Sequence, residues 1–411
     1  MTSLKYLPAV LVGLCLTACQ QHETPKQSSL FESPYAKGTF GYDLDFLKTK
    51  DSVVVLNSKD GKGEIIISPR YQAKVFTSTA DGAGGKSFGW INYKTFDQEK
   101  PDDHMNAYGG EDRLWLGPEG GKFSLFFKPR TKMEFANWHT PAAVDNEAWK
   151  LLSNTDKTAT LRKSAKLLNY AGTTLTLSID RTIAIIEPAE IKKLLNITFD
   201  DSVQSVAFRT TTVLTNNGGS TWDKQTGAPC IWNLDMFSPS SKTVTVVPYN
   251  PGPGKVATTD YFGEIPKDRI KMDNGILLFK ADGKSRGKLG MEAAKAKNIA
   301  GNYDGENNVL TIILFDTDKN ATYLNQEWRT DRDPFTGDAV NAYNDGPLAD
   351  GSQMGPFYEL ESVSPAAFLK PGGTLSHHHS VFHFTGNKDE LNTIAVKTLG
   401  ISLHDIQDAF K

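Results

Sequence analysis

From Thr39 onward the chain is cut into short runs, alternating or rich in β-branched residues, separated by Gly, Asn, Asp and Pro. Period-two alternation places successive side chains on opposite faces, so such runs fold as half-buried strands rather than helices. Ser52 to Leu56, Glu64 to Ser68, Lys122 to Phe127, Thr173 to Ile186, Ser205 to Thr215, Thr243 to Val247 and Val309 to Phe315 read this way. Helical spacing is weak until Lys388 to Leu399 and Ser402 to Phe410, the latter with Asp405 placed to complete a capped start at Ser402. No repeat of solenoid or propeller period occurs, and no long linker interrupts residues 39–411. The pattern predicts an all-β protein, one large antiparallel β-sandwich domain over 39–411 with short C-terminal helices. In a 411-residue chain that is 39% apolar, 22 Phe and 7 Trp supply the large side chains such a core needs.

The first residues read as a targeting segment rather than as part of the fold. Lys5 gives a positive start, Leu7 to Leu16 an apolar stretch too short to span a bilayer, and Leu16-Thr17-Ala18-Cys19 a small-residue cleavage site. This is a bacterial lipoprotein signal over 1–18, with Cys19 the expected lipidation site and 19–38 a polar tether. Acyl chains on Cys19 would hold the chain at a membrane of the cell envelope, and the lack of an acidic run after Cys19 points to the periplasmic side. Cys230 would then be the remaining thiol, a core residue rather than a nucleophile. The net charge of −3, spread along the chain without a basic stripe, argues against nucleic acid as a partner.

Chemistry concentrates in three segments. In Pro356 to Phe384, one strand puts Glu359 and Glu361 on the same face; the next places His377, His379 and His383 on one face and His378 on the other. Paired carboxylates beside histidines suit proton transfer on a sugar, where one group takes a proton and another gives one. Two histidines two apart can reach one metal ion, but no Cys/His spacing elsewhere completes a zinc site. A satisfied histidine cluster between layers is the plainer reading. No metal or other cofactor is expected, although a calcium site built from scattered Asp and Asn has no legible pattern.

Gly109 to Gly121, GGEDRLWLGPEGG, sets Arg113 and Trp115 between Gly-Gly turns, a hydrogen-bonding fork and a stacking face for a sugar, or equally a hairpin with a salt bridge and a core Trp. Tyr323 to Pro347 reads as a long polar and aromatic loop, and Glu327, Trp328, Asn341, Asn344 and Asp345 are side-chain types that line sugar pockets. The alternative is a surface loop held by Asn and Asp turns. Phosphate-binding loops, nucleophile elbows and dinucleotide fingerprints are absent.

These segments resemble the galactose mutarotase-like, or aldose 1-epimerase-like, β-supersandwich proteins. Asp112-Arg113 after Gly109-Gly110 looks like the early Asn-Arg sugar-binding element, the Glu359/Glu361 strand like the one bearing the catalytic glutamate, and Leu369-Lys370-Pro371-Gly372 like the turn that follows it. The likeness spans Thr39 to about Gly386 and is greatest to bacterial lipoproteins of that superfamily. It implies that Glu361, or Glu359 in another register, takes the anomeric proton while a histidine protonates the ring oxygen. The chain departs from that pattern, because no histidine lies between His139 and His377. Ile231 to Asp235 occupies the corresponding region and offers Trp232, Asn233 and Asp235, of which Asp235 can serve as an acid if burial raises its pKa. The expectation is a lipid-anchored carbohydrate-active protein with Glu361, Glu359 and Asp235 as acid/base candidates. The alternative is a non-catalytic carbohydrate-binding module using the same cleft.

Overall fold

The computed structural model describes residues 31–411, so the signal segment, Cys19 and the tether as far as residue 30 lie outside the described residues. Residues 33–411 gather into one compact unit. Among the described residues no helix is long and apolar enough to cross a membrane.

Three antiparallel sheets form the unit. The long sheet runs, edge to edge, Ile270–Asp273, Ile276–Lys280, Thr243–Pro248, Ile299–Asp304, Val309–Phe315, Thr374–Gly386, Val203–Asn216, Thr174–Ile185, Thr158–Leu168 and Lys150–Asn154. The short sheet runs Gly287–Glu292, Asp338–Asn344, Tyr358–Val363, Cys230–Phe237 and Arg113–Gly117. A third sheet, Val54–Asn57, Glu64–Ser68 and Lys74–Thr79, joins the short one through a bridge between Val75 and Asp112. The chain therefore has the all-β sandwich architecture that its alternation predicts.

One apolar core includes Leu177, Ile179, Phe208, Leu214 and Val381 of the long sheet and Leu234, Leu360 and Ala342 of the short one. A second lies under the C-terminal helices, where Leu391, Ile394, Ala395 and Leu399 of Lys388–Leu399 meet Val244, Tyr303, Ile312 and Phe382 of the long sheet. That helix starts at Asn387, whose side chain accepts from the amides of Asp389 and Glu390, and stops at Gly400, whose φ of +76° suits glycine. The last helix, Leu403–Asp408, begins as its sequence predicts, with Ser402 accepting from the Asp405 amide.

Three expectations need correction. Lys122 to Phe127 is not a strand: Ser124 N–H turns back to Gly121 O and Leu125 N–H to Pro118 O, so Phe123, Leu125, Phe126 and Phe127 are buried without alternation. The 323–347 segment is a loop only to Gly337, after which Asp338–Asn344 enters the middle of the short sheet. Two helices, Phe40–Lys48 and Pro188–Leu195, arise where no helical period was legible; the second starts on a Pro in its first turn and ends at Asn196 in the left-handed region.

The space between the short and long sheets is not wholly apolar. The Arg181 and Asp112 side chains, both 0% exposed, form an ion pair at 2.7 Å, and Asn233 Nδ2 donates to the other Asp112 oxygen at 2.9 Å. His379 Nε2 meets Asp235 Oδ2 at 2.7 Å, while Ser362 Oγ lies 2.9 Å from both His379 Nδ1 and His377 Nε2. His383 Nε2 meets Glu111 Oε1 at 2.8 Å, and its Nδ1 meets Thr311. Burial lowers His379's pKa, but Asp235 outweighs it and leaves the imidazole above its ordinary value. His377, beside it without a carboxylate, is pushed down to about 3 by burial and then by His379. Breaking one partner of a buried pair strands the other in low dielectric. Arg181→Met should therefore lower stability by about 3–5 kcal/mol in urea unfolding. Arg162→Met, at the exposed Arg162–Asp180 pair, should leave the urea midpoint unchanged. Equal effects of the two would contradict a structural role for the inter-sheet pair.

Candidate functional site

The short sheet has two faces, and its register decides which side chains meet. Across its rows, Asn341 pairs with Glu361, Glu361 with Leu234 and Leu234 with Arg113; in the adjacent row Lys288 pairs with Tyr343, Tyr343 with Glu359 and Glu359 with Met236. These residues share the face turned away from the long sheet. Leu360, paired with Asp235, and Ser362, paired with Asn233, share the opposite face. Asp235, Asn233, Asp112, His377 and His379 are therefore gathered in the inter-sheet layer, separated from Glu359 and Glu361 by the thickness of the sheet. Asp235 has its pKa raised to about 7 by burial, against the pull of His379, yet it faces no cleft. Its assignment as an acid partner of Glu361 is corrected on that geometry.

Over the outer face lies a cleft of about 140 Å³. Its wall is a run of indoles: Trp232 meets Trp115 edge-on at 5.5 Å, Trp115 meets Trp138 at 6.1 Å, and Trp138 stacks on Trp328 at 5.9 Å. Tyr343 and Phe357, tilted against each other at 5.7 Å, form another part of the lining. The loop carrying Trp328 reaches the cleft because Gly120 lets it approach: a Cβ there would lie 2.2 Å from the Glu327 carbonyl oxygen. Gln326 Oε1 fixes the same approach by accepting from the Glu119 amide at 2.6 Å.

Charged groups stand among these rings. Arg113 donates to Glu359 at 2.5 Å and lies over the Trp115 ring at 5.1 Å. Lys288 donates to Glu361 Oε2 at 3.0 Å, and the Trp232 indole donates to the same oxygen at 2.9 Å. Burial works against the Lys288 charge, but Glu361, Glu119 and Glu359 outweigh it and hold the ammonium's pKa above its usual value. Burial pushes the Glu359 carboxyl up to about 7 despite Arg113, with Glu361 adding to the rise. Glu119, half-buried at the cleft, is also raised by burial, against Lys288 and the nearby Trp328. The cleft thus presents two carboxyl groups that hold protons more readily than exposed ones, together with fixed cations.

Of the expected site residues, the structure brings Arg113, Trp115, Trp328 and Glu359 to this cleft. Glu361 lies on the same face but is fully buried, with Lys288 and Trp232 bound to it. Asn341 stands beside it, its amide 3.4 Å from Asp338, whose carboxyl burial raises to about 6 and which also accepts from the Tyr261 hydroxyl. Asn344 and Asp345 are tied into backbone, Asn344 to Gly283 N and Ser285 O, Asp345 to Gly355 N, and Glu327 accepts from Asn325 at the loop. These three hold turns rather than line the cleft. Lys288 and Glu119 were not singled out: a lysine flanked by Gly287 and Leu289 in the buried run GKLGME was the available signal, as was a glutamate directly before Gly120-Gly121. Among the described residues, no three His, Cys, Asp or Glu side chains converge where they could hold a metal ion.

Two solved structures share the architecture. A candidate aldose 1-epimerase of Escherichia coli K12 superposes with a TM-score of 0.50 at 12% identity, covering 81% of this chain and 98% of its own. The Slr1438 protein of Synechocystis sp. PCC 6803 superposes with a TM-score of 0.52 at 12% identity, covering 82% of this chain and 96% of its own. The chain thus shares their fold. No curated protein matches the chain in sequence. Residues 38–410 match the profile of DUF6786, a family of unknown function, and the chain belongs to that family.

Proposed function

We propose that the protein binds a carbohydrate in the cleft above the short sheet and that Glu359 and Glu119 carry acid/base chemistry at its anomeric centre. One observation carries this reading: two carboxyls with raised pKa values face a single cleft walled by indoles and crossed by Arg113 and Lys288. Aromatic faces suit the apolar side of a sugar ring, and the guanidinium and ammonium suit its hydroxyls. Opening or exchanging the anomeric bond needs one group to accept a proton and another to donate one. Glu359 titrates near neutral pH and can accept it; Glu119, which burial also holds above its ordinary value, faces the same cleft and is the group placed to return it. No histidine lines this cleft, so the histidine that the family resemblance implies has no counterpart there among the described residues. The likeness of the fold to sugar epimerases supports a carbohydrate ligand and leaves the chemistry to these side chains. On the same reading, acylated Cys19 attaches the chain to the periplasmic face of the cell envelope.

A second reading, a sugar-binding module without chemistry, is favoured by the ion pairs themselves. Arg113 and Lys288 engage Glu359 and Glu361 directly, as cations in a binding cleft would hold its walls in shape.

Anomer-resolved NMR of pure α- or β-monosaccharides mixed with the chain separates the two readings. Chemistry predicts accelerated anomer exchange whose rate rises with pH through about 7, as Glu359 loses its proton. Glu359→Gln should cut the rate by about 100-fold or more. The variant should remain folded by circular dichroism, because the glutamine carbonyl oxygen can still accept from Arg113, although losing one charge of the buried pair should lower its thermal midpoint. Unchanged exchange in the folded variant would remove Glu359 from the chemistry. Trp328→Ala should weaken sugar binding about tenfold on either reading, the loss of about 1.4 kcal/mol of stacking; titration calorimetry measures it, and undiminished affinity would place the sugar elsewhere. Cys19→Ser should move the protein from the membrane to the soluble fraction on cell fractionation, and continued membrane association would contradict the lipid anchor.

A further inference from the structure

Beside the cleft lies a second pocket of about 600 Å³, between the 90–98 segment and the turn at 353–356. Met354 lines both cavities. The Trp90 ring, in the second pocket, packs at 4.7 Å and 33° on the Phe357 ring of the first. Trp90 N–H donates at 2.9 Å to Met236 O, and Met236 is the strand partner of Glu359. The second pocket therefore opens one strand away from the candidate acid/base carboxyl, across a shared wall.

The lining of this pocket is polar in the way a sugar requires. Asp43 accepts from the hydroxyls of Ser87 and Tyr93 at its base. The side-chain amides of Asn92 and Gln98 make no hydrogen bond to the described protein; Gln98 is exposed, and Asn92 and Trp90 are partly exposed in the same lining. The first cleft alone, at about 140 Å³, is small for a ligand pocket, whereas the second falls inside the usual range of roughly 300–1,000 Å³. The rim of the first cleft is also unusually apolar for surface in water: Phe135 is 62% exposed, Met354 45% and Phe262 41%. Arg286 lies 3.9 Å from the centre of the Phe262 ring and holds it over the opening. One ring seated between the indoles would leave Met354 uncovered, while further units continuing past it into the second pocket would cover it.

We propose that the ligand is an oligosaccharide, with one unit in the indole-walled cleft at Glu359 and at least one further unit beyond Met354, stacked on Trp90 and hydrogen-bonded by Asn92 and Gln98. This rests on the carbohydrate reading above and names its substrate class.

Titration calorimetry of the full chain with glucose, galactose and mannose, and with their tetrasaccharides in α-1,4, β-1,3 and β-1,4 linkage, tests it. The expected result is a tetrasaccharide that binds at least tenfold tighter than its monosaccharide. Trp90→Ala should reduce that gain below threefold. So should a double variant, Asn92→Ala with Gln98→Ala, which breaks no side-chain hydrogen bond of the described protein; its monosaccharide affinity should stay at the wild-type value. Equal affinity for monosaccharide and every tetrasaccharide, or a gain that survives both variants, would overturn the second subsite while leaving the carbohydrate cleft in place. Failure of every sugar to bind would overturn both.

Discussion

The short sheet carries charge on both faces, and the register between Cys230–Phe237 and Tyr358–Val363 keeps the two sets apart. Leu360 opposite Asp235 and Glu361 opposite Leu234 fix which carboxylates look into the cleft and which look into the sandwich. A slip of one residue would exchange the sets, placing Asp235 among the indoles and Glu359 against the long sheet. The inter-sheet ion pair of Asp112 with Arg181 and the contact of Asp235 with His379 oppose that slip, since each finds its partner in one register only. The outer face then inherits its geometry: Arg113 directly follows Asp112, so anchoring one on the inside aims the other into the cleft.

Burial does different work on the two faces. Between the sheets each carboxylate meets a histidine, an arginine or an amide in a layer with no route to solvent, so even the raised pKa of Asp235 has no ligand to act on. Above the sheet burial is only partly offset, and Glu359 keeps a raised pKa although Arg113 lies 2.5 Å away. Incomplete compensation beside a cleft is the condition under which a carboxyl can exchange protons near neutral pH. The buried Ser362, His379 and Asp235 group resembles a hydrolytic triad in composition alone, because nothing can reach it.

Much of the architecture was legible because strands declare themselves by alternation. Glu64–Ser68, Val309–Phe315 and the helix Lys388–Leu399 fall where the pattern put them, as does the shared face of His377, His379 and His383. Asp338–Asn344 was hidden because its small and polar residues, DAVNAYN, imitate a loop, and only pairing on both sides makes it a central strand. Asp235 was misplaced for a related reason: alternation gives the parity of a strand but not the register that relates it to its neighbour. Lys288 escaped notice because a lysine's role follows from the carboxylates opposite it, which come from strands far away in sequence.

The central claim is that the outer face of the short sheet holds the ligand, with Glu359 as its titrating group. Carbon-13 NMR of side-chain-labelled glutamate carboxyls, assigned by Glu359→Gln, measures this directly across a pH series with and without a bound sugar. The account predicts a Glu359 midpoint near 7 that moves when sugar occupies the cleft. A midpoint at the ordinary value of about 4.5, indifferent to sugar, would contradict it.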